Sequence, residues 1–171
     1  MQKNTVFEAQ TEYAKRVFAL ARERYGNNPT ACVITFGCQQ NVSDSERLKG
    51  MLSLMGYSII EEPEKADFII FNTCAVREHA EDRVYGNIGT TKKIKQERPG
   101  TIVAICGCMV QQERVAAKIK KSYPYVDIVM GTHVEHRLPE FLYKRLSGSP
   151  RIFELSQEDN TIVEDIPIKR D

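Results

Sequence analysis

No apolar run in these 171 residues approaches the ~20 needed to cross a bilayer. Met1–Gln10 lacks the apolar stretch of a secretory signal. Membrane-spanning and exported classes are set aside, and a reducing cytoplasm is the expected compartment. An excess of one charge is missing too: 24 Lys and Arg against 23 Asp and Glu leave a net charge of +1. No global field draws the chain to nucleic acid, so any RNA contact must come from a local patch or another domain. There is no CxxC pair, which argues against a zinc ribbon or a thioredoxin-like site. There is no GxGxxG, so a dinucleotide has no phosphate loop. Internal repeats and low-complexity tracts are also absent.

Cysteine is what the chain does have. Five are present, Cys32, Cys38, Cys74, Cys106 and Cys108, an odd number that cannot all pair in one molecule. In a reducing compartment, cysteines at turns point to metal binding or catalysis rather than disulfides. Three stand in near-matching settings, each just past an apolar, strand-like run. Cys38 follows Thr35-Phe36-Gly37, Cys74 follows Ile69-Ile70-Phe71-Asn72-Thr73, and Cys108 follows Ile102-Val103-Ala104-Ile105-Cys106-Gly107. Intervals of 36 and 34 residues separate the three, about the length of one βαβ step. If the strands pair in parallel, the three turns emerge at one sheet edge and three thiols meet there. Three thiolates are one short of a closed four-cysteine site. A vacant position is what a reactive cluster needs, so Cys38, Cys74 and Cys108 read as an iron–sulfur site with one iron open. Gly37, Thr73 and Gly107 let the backbone approach a bulky cluster and leave amides for sulfide. The plain alternative is that free cysteines are small core hydrophobes. That suits Cys32 and Cys106, which lie inside strands, and suits the other three poorly.

The rest of the chain alternates strands and helices. Short apolar runs at Ala31–Phe36, Tyr57–Ile60, Asp67–Phe71, Thr101–Cys106 and Val126–Met130 read as five strands. Helices are expected from Ser43-Asp44-Ser45-Glu46 to a cap at Gly56, over about Ala75–Glu97 with a break near Gly86 or Gly89, over Val110–Lys121 and over His133–Leu146. Strands apolar throughout with helices between imply an α/β fold: a doubly wound, five-stranded, mainly parallel, flavodoxin-like sheet covered on both faces. Ligands of such sheets bind beyond the carboxyl ends of the strands, near the switch point. Residues 1–30 form an extension with a helix over Thr11–Tyr25, where Tyr13, Val17, Leu20 and Ala21 recur at helical spacing, docked on the domain or loosely tethered to it and stopped by Gly26-Asn27-Asn28-Pro29. Residues 31–150 form the domain. Residues 151–171 are polar, with isolated apolar pairs such as Ile152-Phe153, and read as a linker.

Other candidates carry bland readings beside sharper ones. His79, His133 and His136 are available as a fourth ligand, although a surface or satisfied histidine is the commoner case. Asn41 and Asn72 suit side-chain to backbone bonds that tie turns. Arg77, Glu78 and Arg83 open the helix after Cys74 and either line the site's mouth or are simply solvated. Lys92, Lys93, Lys95 and Arg98 cluster at a helix end, where dipole complementation explains them and phosphate contact is the alternative.

The motif Thr35-Phe36-Gly37-Cys38-Gln39-Gln40-Asn41-Val42-Ser43-Asp44-Ser45-Glu46 resembles the methylthiotransferases, a family of radical S-adenosylmethionine enzymes. The resemblance continues through Asn72-Thr73-Cys74-Ala75-Val76-Arg77 and Gly107-Cys108-Met109, and covers residues 31–150. Gln39-Gln40-Asn41 and Ala75-Val76-Arg77-Glu78 are similar to the branch that thiomethylates N6-isopentenyladenosine-37 of tRNA. The resemblance implies an auxiliary [4Fe–4S] cluster held by Cys38, Cys74 and Cys108, whose open iron holds the transferred sulfur. It also implies a second [4Fe–4S] cluster and S-adenosylmethionine in a radical-SAM domain in cis, and a tRNA-binding domain, in the full-length enzyme only. No CxxxCxxC occurs in this chain, so it is expected to be inactive alone. A different class, a flavodoxin-like FMN- or partner-binding module, needs a phosphate loop that Gly37-Cys38-Gln39-Gln40 serves poorly. A zinc-binding regulatory domain is a third, weaker reading.

Overall fold

Six strands form one parallel sheet in the computed structural model, which describes residues 2–37, 39–74 and 78–155. They are β1 (Thr30–Thr35), β2 (Ser58–Ile59), β3 (Phe68–Thr73), β4 (Ile102–Gly107), β5 (Ile128–Met130) and β6 (Ile152–Glu154), in the order β2-β1-β3-β4-β5-β6. The first five stand in the order of flavodoxin-like doubly wound sheets. The helices are α1 (Gln2–Tyr25), α2 (Gln39–Leu54), α3 (Glu78–Glu97), α4 (Glu113–Ser122) and α5 (Leu138–Leu146).

The central strands are buried at every residue, Phe68–Thr73 and Ile102–Gly107 alike, as parallel strands covered on both faces must be. Alternate side chains part between two layers. Phe68, Ile70, Ala104 and Cys106 pack with Ala14, Val17 and Ala21 of α1, Leu48 and Leu52 of α2, and Phe141 and Leu142 of α5. Ile69, Phe71, Val103 and Ile105 pack with Val84 and Ile88 of α3 and with Val115 and Ile119 of α4.

The count of six strands corrects the five expected. β6 lies in the stretch read as linker and pairs with β5 alone, Val129 opposite Phe153. Arg151 secures it, donating to the carbonyls of Val126 at 2.7 Å and Tyr123 at 3.0 Å. A three-residue edge strand has one neighbour and little to bury, so its pattern is too short to read.

Helix bounds also shift. α1 begins well before Thr11 and joins the core; Tyr25 Oη donates to the carbonyl of Gly100 at 2.6 Å. α2 begins at Gln39, not near Ser43, so Ser43 lies inside the helix and Ser45 is buried on its side toward the sheet. Gly56 ends α2 as expected, with φ +86° and the Tyr57 amide donating back to Leu52. α3 runs unbroken through Gly86 and Gly89. Short 3₁₀ turns, Cys108–Gln111 and Thr132–Arg137, precede α4 and α5, the second ending where Pro139 enters the first turn of α5.

Candidate metal centre

The carboxyl ends of β1, β3 and β4 lie side by side. Thr35 is in register with Asn72, Asn72 with Cys106, and Thr73 with Gly107. Strand order reverses between β1 and β3, so their shared carboxyl edge is the switch point where ligands of such sheets sit.

Two glycines let the turns there close on one another. Gly37, at φ +126°, is packed so tightly that a Cβ would run into Cβ of Cys74 and Oδ1 of Asn41. Gly107, at φ +102°, lies on the backbone of Thr73, where a Cβ would meet the carbonyl oxygen and stand 2.7 Å from the nitrogen. Both conformations disfavour a side chain. The residue before Cys38 therefore touches Cys74, and the residue before Cys108 touches the residue before Cys74. Cys74 is buried, and Cys108 is exposed at the start of its 3₁₀ turn. Cys38 itself lies outside the described residues. Among those described, no three His, Cys, Asp or Glu side chains form a metal cage.

Cys32 and Cys106 are core residues on opposite layers, 2% and 0% exposed. Burial pushes the Cys32 thiol up to about 11, and burial raises Cys106 well above the usual thiol range. Both are held as neutral thiols.

A buried polar network underlies the edge. Asn72 Nδ2 donates to the carbonyl of Asn41 at 2.8 Å and to Ser45 Oγ at 3.0 Å. Asn41 Nδ2 donates to the carbonyl of Thr73 at 2.9 Å. The hydroxyls of Ser45 and Thr35 are 2.6 Å apart, and Thr73 Oγ1 donates to the carbonyl of Cys106 at 2.7 Å. Asn41 and Asn72 thus tie the turns. Arg114, on the helix after Cys108, binds Glu81, on the helix after Cys74, through two bonds of 2.7 and 2.6 Å. The guanidinium holds that carboxyl below its ordinary range.

Glu135, from the turn after β5, was not among the residues singled out by sequence. Its Oε1 is shielded and has no hydrogen-bond partner. Burial pushes its carboxyl up to about 8, reinforced by Asp44 and opposed by a bond with Cys106 and by Arg47. No sequence pattern marks it, since a lone Glu in a helix-like stretch reads as solvated. Ser45 was misread as part of a helix start.

Arg77 and the side chain of His79 lie outside the described residues, as does the side chain of Glu78; Arg83 and His133 are exposed. His136 is buried and lines the groove between α1 and α2 with Phe7 and Met51. Lys95 and Arg98 bind carboxylates at the opposite, amino-terminal edge, Asp127 and Asp67, each at 2.6 Å. Those two cations are spent on the fold.

The model of the uncharacterized protein family UPF0004 matches residues 30–131. The chain belongs to the UPF0004 family. Relatives named tRNA-2-methylthio-N(6)-dimethylallyladenosine synthase share its sequence. The protein from Caldicellulosiruptor saccharolyticus is 46% identical over 167 residues, 96% of this chain and 36% of the relative. That from Clostridium perfringens strain 13 is 48% identical over 139 residues, 81% and 31%. That from Thermoanaerobacter pseudethanolicus is 43% identical over 152 residues, 89% and 32%. The chain spans about a third of the length of these curated relatives. Within the UPF0004 match fall the three turns, both glycines, Asn41 and Asn72. No helix among the described residues is long and apolar enough to cross a membrane.

Proposed function

We propose that this chain is the amino-terminal domain of a tRNA methylthiotransferase and holds an auxiliary [4Fe–4S] cluster through Cys38, Cys74 and Cys108. One observation carries the reading: Gly37 and Gly107, each next to a cysteine, are pressed onto the segment that ends in Cys74. A backbone cradle with cysteines around it suits a thiolate-bound cluster, whose bulk leaves no room for side chains. Bound there, such a cluster supplies an iron with a position not taken by protein, where sulfur is held for transfer. The chain's own residues would hold it: the thiols of Cys38, Cys74 and Cys108 would ligate the cluster, and the Asn41–Asn72 network ties the segments beside them.

The relatives' name and the motifs around each cysteine support N6-isopentenyladenosine-37 of tRNA as the substrate, converted to its 2-methylthio derivative. Replacing the C2–H bond requires radical chemistry from a CxxxCxxC cluster and S-adenosylmethionine. These residues hold no such motif and match about a third of the relatives' length, which supports a radical-SAM domain in cis as partner, with the chain silent alone. The test is anaerobic reconstitution with iron and sulfide, with visible and electron paramagnetic resonance spectra. About four irons per chain, and no methylthio product from tRNA plus S-adenosylmethionine, are expected. A folded chain that binds no iron would favour a partner- or FMN-binding module, and full activity from this chain alone would refute the domain assignment.

A further inference from the structure

We infer that Asn72, paired with Asn41, is a positioning residue that sets the spacing of the three cysteine-bearing turns before any metal arrives. The inference rests on the cysteine set proposed above. Asn72 is fully buried, two residues before Cys74. Its carboxamide reaches both neighbouring segments. Nδ2 donates to the carbonyl of Asn41, three residues after Cys38, at 2.8 Å. Oδ1 accepts a long bond from Asn41 Nδ2 at 3.4 Å and one from the thiol of Cys106, two residues before Cys108, at 3.9 Å. Asn41 completes the ring, with Nδ2 on the carbonyl of Thr73 and Oδ1 filling the space that a Cβ on Gly37 would need. One carboxamide thus contacts the chain within three residues of each thiol.

The strand ladder does not do this work. Backbone pairing of β1 with β3 ends at Thr35 and Phe36, the latter donating to the carbonyl of Asn72. Beyond that point α2 leaves the sheet, and the paired carboxamides hold it. Asparagine is the side chain that fits. Asp lacks the two N–H donors aimed at Asn41 and Ser45, and Ala leaves those acceptors buried and unmet.

The test uses two thiol probes on the anaerobic protein: arsenite, which takes three thiolates, and iron with sulfide. Asn72→Ala, Asn72→Asp and Asn41→Asp are compared with wild type and with Asn87→Asp, which changes an exposed asparagine of α3 that bonds the carbonyl of Arg83 in its own helix. Far-ultraviolet circular dichroism and urea midpoints report folding. Wild type and Asn87→Asp should bind one arsenite equally. The three Asn72 and Asn41 variants, while folded, should bind it about tenfold more weakly. Their reconstituted iron should pass to a chelator about tenfold faster, with an altered paramagnetic resonance line shape that a loss of stability alone does not produce. Folded variants that match wild type in arsenite affinity and iron release overturn the inference. If the Asn72 variants fail to fold, the near-isosteric Asn41→Asp decides. Wild type that binds arsenite but no iron keeps the positioning role and removes the cluster; wild type that binds neither removes both.

Discussion

Gly107 and Gly86 show how much one Cβ decides. At Gly107, with φ +102° and the Thr73 backbone against its Cα, Gly107→Ala should cost about 2 kcal/mol or more in urea unfolding and impair iron retention. At Gly86, inside α3 with nothing within 4 Å of a Cβ, Gly86→Ala should stabilise by about 0.5–1 kcal/mol. Equal effects at the two positions would contradict the cradle. Glu135 supplies a pH dependence. Its folded carboxyl titrates at about 8 against an ordinary 4.5, chiefly through burial. The folded state keeps a proton that the unfolded chain loses between those values, so this contribution is complete below about pH 4.5 and disappears as pH rises through about 8. Thermal unfolding should therefore move to lower temperature from about pH 5 to about pH 9. Glu135→Gln should remove much of that slope and be the more stable form at the alkaline end. A slope unchanged by the substitution would count against a buried, proton-bearing Glu135.

Among the elements, α1 is where sequence reading was most nearly right and still short. Tyr13, Val17, Leu20 and Ala21 at helical spacing announced a helix, yet periodicity does not say what a narrow apolar face packs against. Ala14, Val17 and Ala21 lie in the same cluster as the β3 and β4 side chains, so α1 belongs to the layer rather than hanging from it. Val17→Ala should cost about 2 kcal/mol in urea unfolding, whereas a loosely tethered helix would give nearly no change. The central strands were legible because they run apolar over Phe68–Phe71 and Ile102–Cys106, the mark of parallel strands covered twice. β6 was not, since Ile152-Phe153 in a polar stretch has too few residues to show a period. The start of α2 was misplaced by reading Ser43-Asp44-Ser45-Glu46 as a first turn; the bonds of Ser45 with Asn72 and Thr35 are made through space and lie outside local capping rules.

At the scale of the whole molecule, the site follows from topology more than from any local motif. No CxxC or CxxxCxxC announces it; the strand ends before cysteines 36 and 34 residues apart lie side by side because β1, β3 and β4 are neighbours in a parallel sheet. The spacing and the turn residues were readable in advance. Glu135 and the Glu81–Arg114 bond were not, because each depends on which helix stands beside which. In the proposed centre Cys38, Cys74 and Cys108 act as one ligand set while Cys32 and Cys106 stay out of it. Iron stoichiometry after anaerobic reconstitution of the five single Cys→Ala variants separates the two groups. About four irons per chain are expected in wild type, Cys32→Ala and Cys106→Ala, and loss of the intact cluster in Cys38→Ala, Cys74→Ala and Cys108→Ala. Full iron retention in any of the last three, or its loss in Cys32→Ala with the fold intact, would contradict that ligand set.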